Sequence, residues 1–329
     1  MKTKREYSFD ILRVISMAMV VVIHVSNVYS RQYSYISDFS FLTSLFFNTV
    51  SRISVPIFLM ISGALLLDRE FDSKKYKKRL VKFLRLIIIW NIIYLVWEYF
   101  YLGNTYNQLY KLLLQPYRAH LWFLYTILLL YFLQPQLRYI LNKANKNQKL
   151  LLLFIWIFFS TISVLNTTIA QIFTIFSYMG FFIIGKYVYD FVKTKNIKKY
   201  NKQLIVIMII CFLLSILFNY YYSKKYNMFY NLYFAYRTPF IMCSSIIFYS
   251  LVISNYQKKS LDKRILTLSD LSLGVYLIHG IFLDIMVKEF AFTSIHAIIG
   301  IPFFSTIIFL VSIFTTYLLK KGKIGNHIM

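Results

Sequence analysis

Of the 329 residues, 59% are hydrophobic, one in five is aromatic and only 15% are charged, against about a quarter in an ordinary soluble domain. Runs of about 20 apolar residues recur along the chain, which excludes a soluble enzyme, a disordered tail and a nucleic-acid-binding domain and predicts a polytopic membrane protein. The net charge of +25 is no argument for nucleic acid, because Lys and Arg sit in short blocks between apolar runs, where they set topology and meet anionic membrane lipids.

Ten transmembrane helices are predicted, at roughly 11–29, 41–67, 80–102, 119–137, 150–165, 171–188, 204–222, 236–254, 267–287 and 297–319. The expected fold is all-α: one integral-membrane bundle over residues 1–329, with no separate soluble domain.

The first span follows Lys2, Lys4 and Arg5. Asp10 and Arg13 interrupt its start and no small-x-small cleavage site follows, so it is expected to be retained. Arg13 and His24 lie eleven positions apart. At 100° per residue that is three turns plus about 20°, so both share one helix face, roughly 16 Å apart. The plain structural reading is an Arg snorkelling to lipid phosphate and a His bonded between helices. Ionisable residues inside a span are nevertheless costly and mark functional candidates.

In the second span Arg52 precedes Pro56 by four residues, so the Arg52 carbonyl loses its helical partner. The structural alternative for Arg52 is a salt bridge to Glu98 or Asp284. Ser62 and Gly63 permit close helix packing. The basic loop before the third span, with Lys77, Lys78, Arg79, Lys82 and Arg85, either fixes topology or cradles the phosphates of an anionic donor. The fourth span opens with His120 and Trp122, which fit an interfacial aromatic belt. Cys211 and Cys243 lie within later apolar spans and are expected as small apolar side chains, not a disulfide. The ninth span carries Asp270 near its inner end, then Ser272, Gly274, Tyr276 and His279. Counted along their spans, His24, Arg52 and His279 reach similar mid-membrane depth, which predicts one polar cavity.

Orientation follows from charge. With the N-terminus inside, 28 of the 37 Lys and Arg fall in inner segments, 7 in outer ones and 2 (Arg13 and Arg52) within spans. This predicts both termini in the cytosol and a multi-pass protein of the plasma membrane. The abundance of Lys, Asn, Ile and Tyr points to an AT-rich bacterial genome.

Taken together, several short motifs resemble the acyltransferase-3 family of polytopic membrane acyltransferases. They are Arg13-x10-His24, the stretch from Arg52 through Pro56 to Gly63, the basic pair before the third span, His120-Leu-Trp-Phe-Leu124 and Ser272-x-Gly-x-Tyr-Leu-x-His279. The resemblance runs the whole chain in order. It implies transfer of an acyl group, commonly acetyl from acetyl-CoA or another acyl-CoA, to a hydroxyl of a surface glycan or lipid-linked sugar. It also implies His24 as catalytic base and Arg13 as a donor-binding residue. The family's basic pair is often Arg-x-x-Arg and here is Arg79-x-x-Lys82, which keeps the charge but loses one bidentate fork.

Neutral imidazole can take the proton of a sugar hydroxyl as it attacks a thioester, and Arg52 can steady the oxyanion or orient a phosphate. His120, Trp122, Tyr276 and His279 are expected around the substrate or cavity. No metal site is expected. Glycan-biosynthesis proteins are candidate partners. The competing reading is an exporter or flippase of surface polysaccharide.

Overall fold

A computed structural model gives the structure and describes residues 5–103, 116–165, 167–256, 262–290 and 292–322. Among the described residues there is no strand. The α-helices are α1 (Tyr7–Arg31), α2 (Asp38–Ser51), α3 (Ser54–Leu66), α4 (Ser73–Trp97), α5 (Trp122–Lys143), α6 (Lys146–Leu165), α7 (Thr167–Thr194), α8 (Asn201–Tyr226), α9 (Pro239–Asn255), α10 (Lys263–Glu289) and α11 (Ala297–Lys321). Nine helical segments of the described residues are long and apolar enough to cross a membrane, α2 and α3 together forming one.

The expected span that falls short of this hydropathy is α5, whose second half carries Gln134, Pro135, Gln136 and Arg138. It still runs the thickness of the bundle. Just before it, Arg118 is tied to Glu98 and Asp284 at one end. At the other end Gln134 Nε2 donates to the Leu66 carbonyl at 3.0 Å, and Tyr76 Oη donates to the Phe132 carbonyl at 3.1 Å. Among the described residues α5 thus adds a tenth traversal to these nine. An even number returns the chain to the end where it started, and Arg5 and Lys320 do both meet Asp270. This end is called the near end below, and the end marked by Arg118 the far end.

Several basic segments expected as loops are helical. Asp72 caps α4 by accepting the Lys75 N–H at 3.0 Å, and the Lys and Arg that follow are good helix formers. So α4 starts at Ser73 rather than near residue 80. Likewise α5 continues to Lys143 and α10 starts at Lys263.

The second span is split between α2 and α3, with Arg52 and Ile53 in the turn between them. Pro56 offers no N–H to the Arg52 carbonyl, and the helix breaks there. This break sits in a deeply enclosed span, its apolar window 72% buried against 22% for α8. A Cβ at Gly63 would lie 1.6 Å from the Phe182 carbonyl oxygen, and one at Gly185 would lie 2.2 Å from that of Met60. Hence α3 and α7 meet backbone to backbone, a contact that only residues without a Cβ allow. On the periphery, α6 and α8 turn Phe154, Phe158, Ile205 and Leu217 outward, as lipid contact requires. Cys211 and Cys243 remain thiols.

Candidate functional site

Three imidazoles meet inside the bundle. His24 comes from α1, His120 from the tight turn Ala119–Leu121 leading into α5, and His279 from α10. Ring centroids are 5.0 Å apart for His24 and His279, 5.0 Å for His120 and His279, and 6.0 Å for His24 and His120. His120 therefore does not sit in a lipid-facing belt. It is buried, and Tyr276 Oη donates to its carbonyl. Two features pull its turn inward. Arg118, two residues earlier, is held by Glu98 at 2.8 Å and by Asp284. Gly280 makes room, since a Cβ there would lie 2.8 Å from His120 Cε1 and 2.7 Å from Tyr94 Oη.

The rings differ in what they can offer. His279 Nδ1 lies 2.6 Å from the Tyr276 carbonyl and 3.2 Å from that of Val275. Carbonyls only accept, so Nδ1 carries the hydrogen and Nε2 is left as a lone pair. That Nε2 is buried without a hydrogen-bond partner, as is His120 Nε2. His24 and His120 line a cavity of about 170 Å³ together with Arg52, Trp122, Tyr236 and Tyr276, while His279 stands behind its wall.

Arg52 points from the helix break into this cavity. Its Nε donates to Asn48 Oδ1 at 2.7 Å, and its guanidinium lies 5.3 Å from the Phe234 ring centroid and 5.7 Å from that of Tyr236. The alternative of a salt bridge to Glu98 or Asp284 is not realised, because both carboxylates are taken by Arg118. Trp97 Nε1 donates to Asp284 at 3.2 Å and Tyr117 Oη to Glu98 at 2.9 Å, completing that cluster. In the sequence Arg118 is one of the seven outer Lys and Arg, and its place two residues before His120 is the one further signal available.

Two further cavities flank the histidines. The near-end cavity, of about 300 Å³, has Arg13, Arg69 and Arg79 with a funnel of Phe58, Leu65, Phe83 and Ile127. It shares Val20, Val55, Phe123 and Tyr276 with the histidine cavity, so the two adjoin. Arg13 is held by Asp10 at 3.1 Å. Asp10 is fully buried and also accepts from Arg5 at 2.8 Å and Ser269 Oγ at 2.6 Å. Lys82, one turn along α4 from Arg79, does not line this cavity; Arg69, unremarked in the sequence, does.

The far-end cavity is a recess of about 590 Å³ lined by Arg52, Trp122, Thr126, Tyr178, Tyr236 and Arg237 among others. It shares Arg52, Trp122 and Tyr236 with the histidine cavity. From near to far the interior thus runs from basic rim to apolar funnel, histidine cavity and aromatic recess. Among the described residues no group of His, Cys, Asp and Glu is arranged to hold a metal ion. A family model described as an acyltransferase domain matches residues 6–320. No curated protein and no solved structure matched the chain.

Proposed function

Because the chain belongs to the acyltransferase-3 family, whose model spans residues 6–320, we propose that this multi-pass membrane acyltransferase moves acetyl, or another acyl group, from its CoA thioester to a hydroxyl of a cell-surface polysaccharide or lipid-linked glycan. The observation that carries the reading is the row of adjoining cavities with His24 between a basic funnel and an aromatic recess.

The near end faces the cytosol of the plasma membrane in this reading, as the charge asymmetry favours. Phosphates of the donor meet Arg13, Arg69 and Arg79, and the pantetheine arm descends the apolar funnel. Arg13 to His24 is roughly 16 Å along α1, the reach of about five extended residues. The thioester then lies beside His24 and the acceptor hydroxyl enters from the recess.

His24 takes the hydroxyl proton as its oxygen attacks the thioester carbonyl. The carbonyl oxygen gains charge near Arg52, which stabilises it. The C–S bond breaks, the leaving thiolate takes the proton back from the imidazolium, and the acyl group remains on the sugar oxygen. No observation specifically favours an exporter or flippase.

The test is mass spectrometry of surface glycans from cells with and without this protein, alongside acyl transfer by purified protein. Loss of an acyl mass together with transfer in vitro supports the proposal. Unchanged glycans and no acyl-CoA turnover would reject it.

A further inference from the structure

The far-end recess carries more positive charge than a neutral sugar needs. Arg52 and Arg237 both line it, and no Asp or Glu does. The acidic residues at that end are engaged elsewhere: Asp38 with Lys224, Glu98 and Asp284 with Arg118, and Glu289 with Tyr101 Oη at 2.6 Å. Residues 104–115 and 165–173 contain no acid in sequence.

Arg237 makes no ion pair among the described residues, and its Nε is buried without a hydrogen-bond partner. Arg52 spends Nε on Asn48 and keeps its other donors beside Phe234 and Tyr236. Half-enclosed guanidinium groups without a counter-charge are costly, and an arriving anion offsets that cost. Beside them lies a cluster of aromatic rings. The Trp122 and Tyr178 rings stack at 4.9 Å with an interplanar angle of 28°, and the Tyr236 ring centroid is 5.9 Å from that of Trp122. Aromatic faces of this kind suit the C–H face of a sugar ring, and a guanidinium fork suits a carboxylate or phosphate.

We propose that the recess selects acceptors bearing an oxyanion, a carboxylate or a phosphate, on or next to the sugar that is acylated. Arg237 grips the anion, Arg52 adds to the field, and the aromatic surface holds the ring over the opening to His24. This rests on the acyltransferase reading above and narrows its acceptor to anionic glycans.

The test uses the full chain in nanodiscs and three ligands on one scaffold: methyl glucoside, methyl glucuronide and methyl glucoside 6-phosphate. Binding is followed by ligand-observed NMR titration at low and high salt. At least one anionic ligand is expected to bind about tenfold tighter than the neutral one, and the advantage should shrink with salt. The more favoured anion tells carboxylate from phosphate. Arg237→Gln should reduce the advantage to less than about twofold, and Arg237→Lys should keep most of it, since Lys retains the charge without the fork. Equal binding of all three ligands to the wild type, or an undiminished advantage in a folded Arg237→Gln variant, overturns the proposal. Thiol release from acetyl-CoA without glycan, compared between wild type and His24→Gln, tests the transferase reading separately. Either result can fail while the other stands.

Discussion

The two cavities that flank the histidines are both basic, but their charges are held in opposite ways. At the near end Arg13 is tied to buried Asp10, and Arg69 and Arg79 join it around the mouth of an apolar funnel. At the far end Arg52 and Arg237 have no carboxylate partner among the described residues, and Arg52 sits among aromatic rings. A ring of basic groups at an interface attracts a ligand with several phosphates over a distance and is sensitive to salt. Cations set in an aromatic recess act at contact, on a ligand that has already shed water. The contrast matches a polyanionic donor on one side and a sugar with a local charge on the other.

The largest expected effect lies between the two cavities. His24→Gln keeps similar size and some hydrogen bonding but cannot take a proton. Acyl transfer should fall by about 10²–10⁴, with normal membrane levels and retained donor binding. Near-wild-type transfer on equal amounts of purified protein would remove the base from the mechanism and leave the two cavities without a shared reaction centre.

Next in size is the support of the far end. Arg118→Met leaves Glu98 and Asp284 partly buried and unpaired, with side-chain exposures of 10% and 18%. Breaking a buried pair costs roughly 3–5 kcal/mol, and partial exposure reduces this to about 2 kcal/mol. Thermal unfolding in detergent should show a clear drop in midpoint, with transfer impaired because His120 loses its anchored turn. An unchanged midpoint would mean that the cluster does not hold the turn.

Much of this architecture was legible in sequence. Ten helices were visible because lipid forces each span to be apolar and internally hydrogen-bonded. The helix break at Arg52 was signalled by Pro56, and the close contact of α3 by Gly63. What sequence could not give was adjacency. Helical spacing fixes how deep His120 lies along its own segment, but its inward turn depends on Arg118 finding partners just beyond the end of α4 and on α10. For the same reason sequence could offer Glu98 and Asp284 only as alternative partners of Arg52, when both belong to Arg118. Lys82 and Arg79 looked alike as charges in a run; only the rotation of α4 turns one of them to the cavity.

That rotation gives a prediction on the near end. Arg79→Glu should weaken acyl-CoA binding at least about tenfold, since a charge-assisted contact is lost and a repulsion added. Lys82→Glu should weaken it far less. Titration calorimetry at two salt concentrations checks both, and equal losses would show that the rim acts as diffuse charge without a defined seat for the phosphates.

The smallest expected effect concerns His279. Its ring lies as close to His24 as to His120, at 5.0 Å, yet it does not line the cavity. Its Nδ1–H is committed to carbonyls of its own helix, and its Nε2 lone pair is buried. It is placed behind the cavity wall, where it can support the other two rings. In His279→Gln the amide offers both a donor and an acceptor, so the rings should keep nearly their present places. Transfer should fall less than about tenfold, below the range for losing a general base. His279→Leu removes both polar functions and should cost more, through displacement of His24 and His120. Acyl transfer measured on His24→Gln, His279→Gln and the double variant separates the roles. If His279→Gln alone is as slow as His24→Gln and the double variant is no slower, the two imidazoles act as one proton-handling unit. The reaction centre would then extend behind the cavity wall, and the division into near and far cavities would no longer describe the whole site.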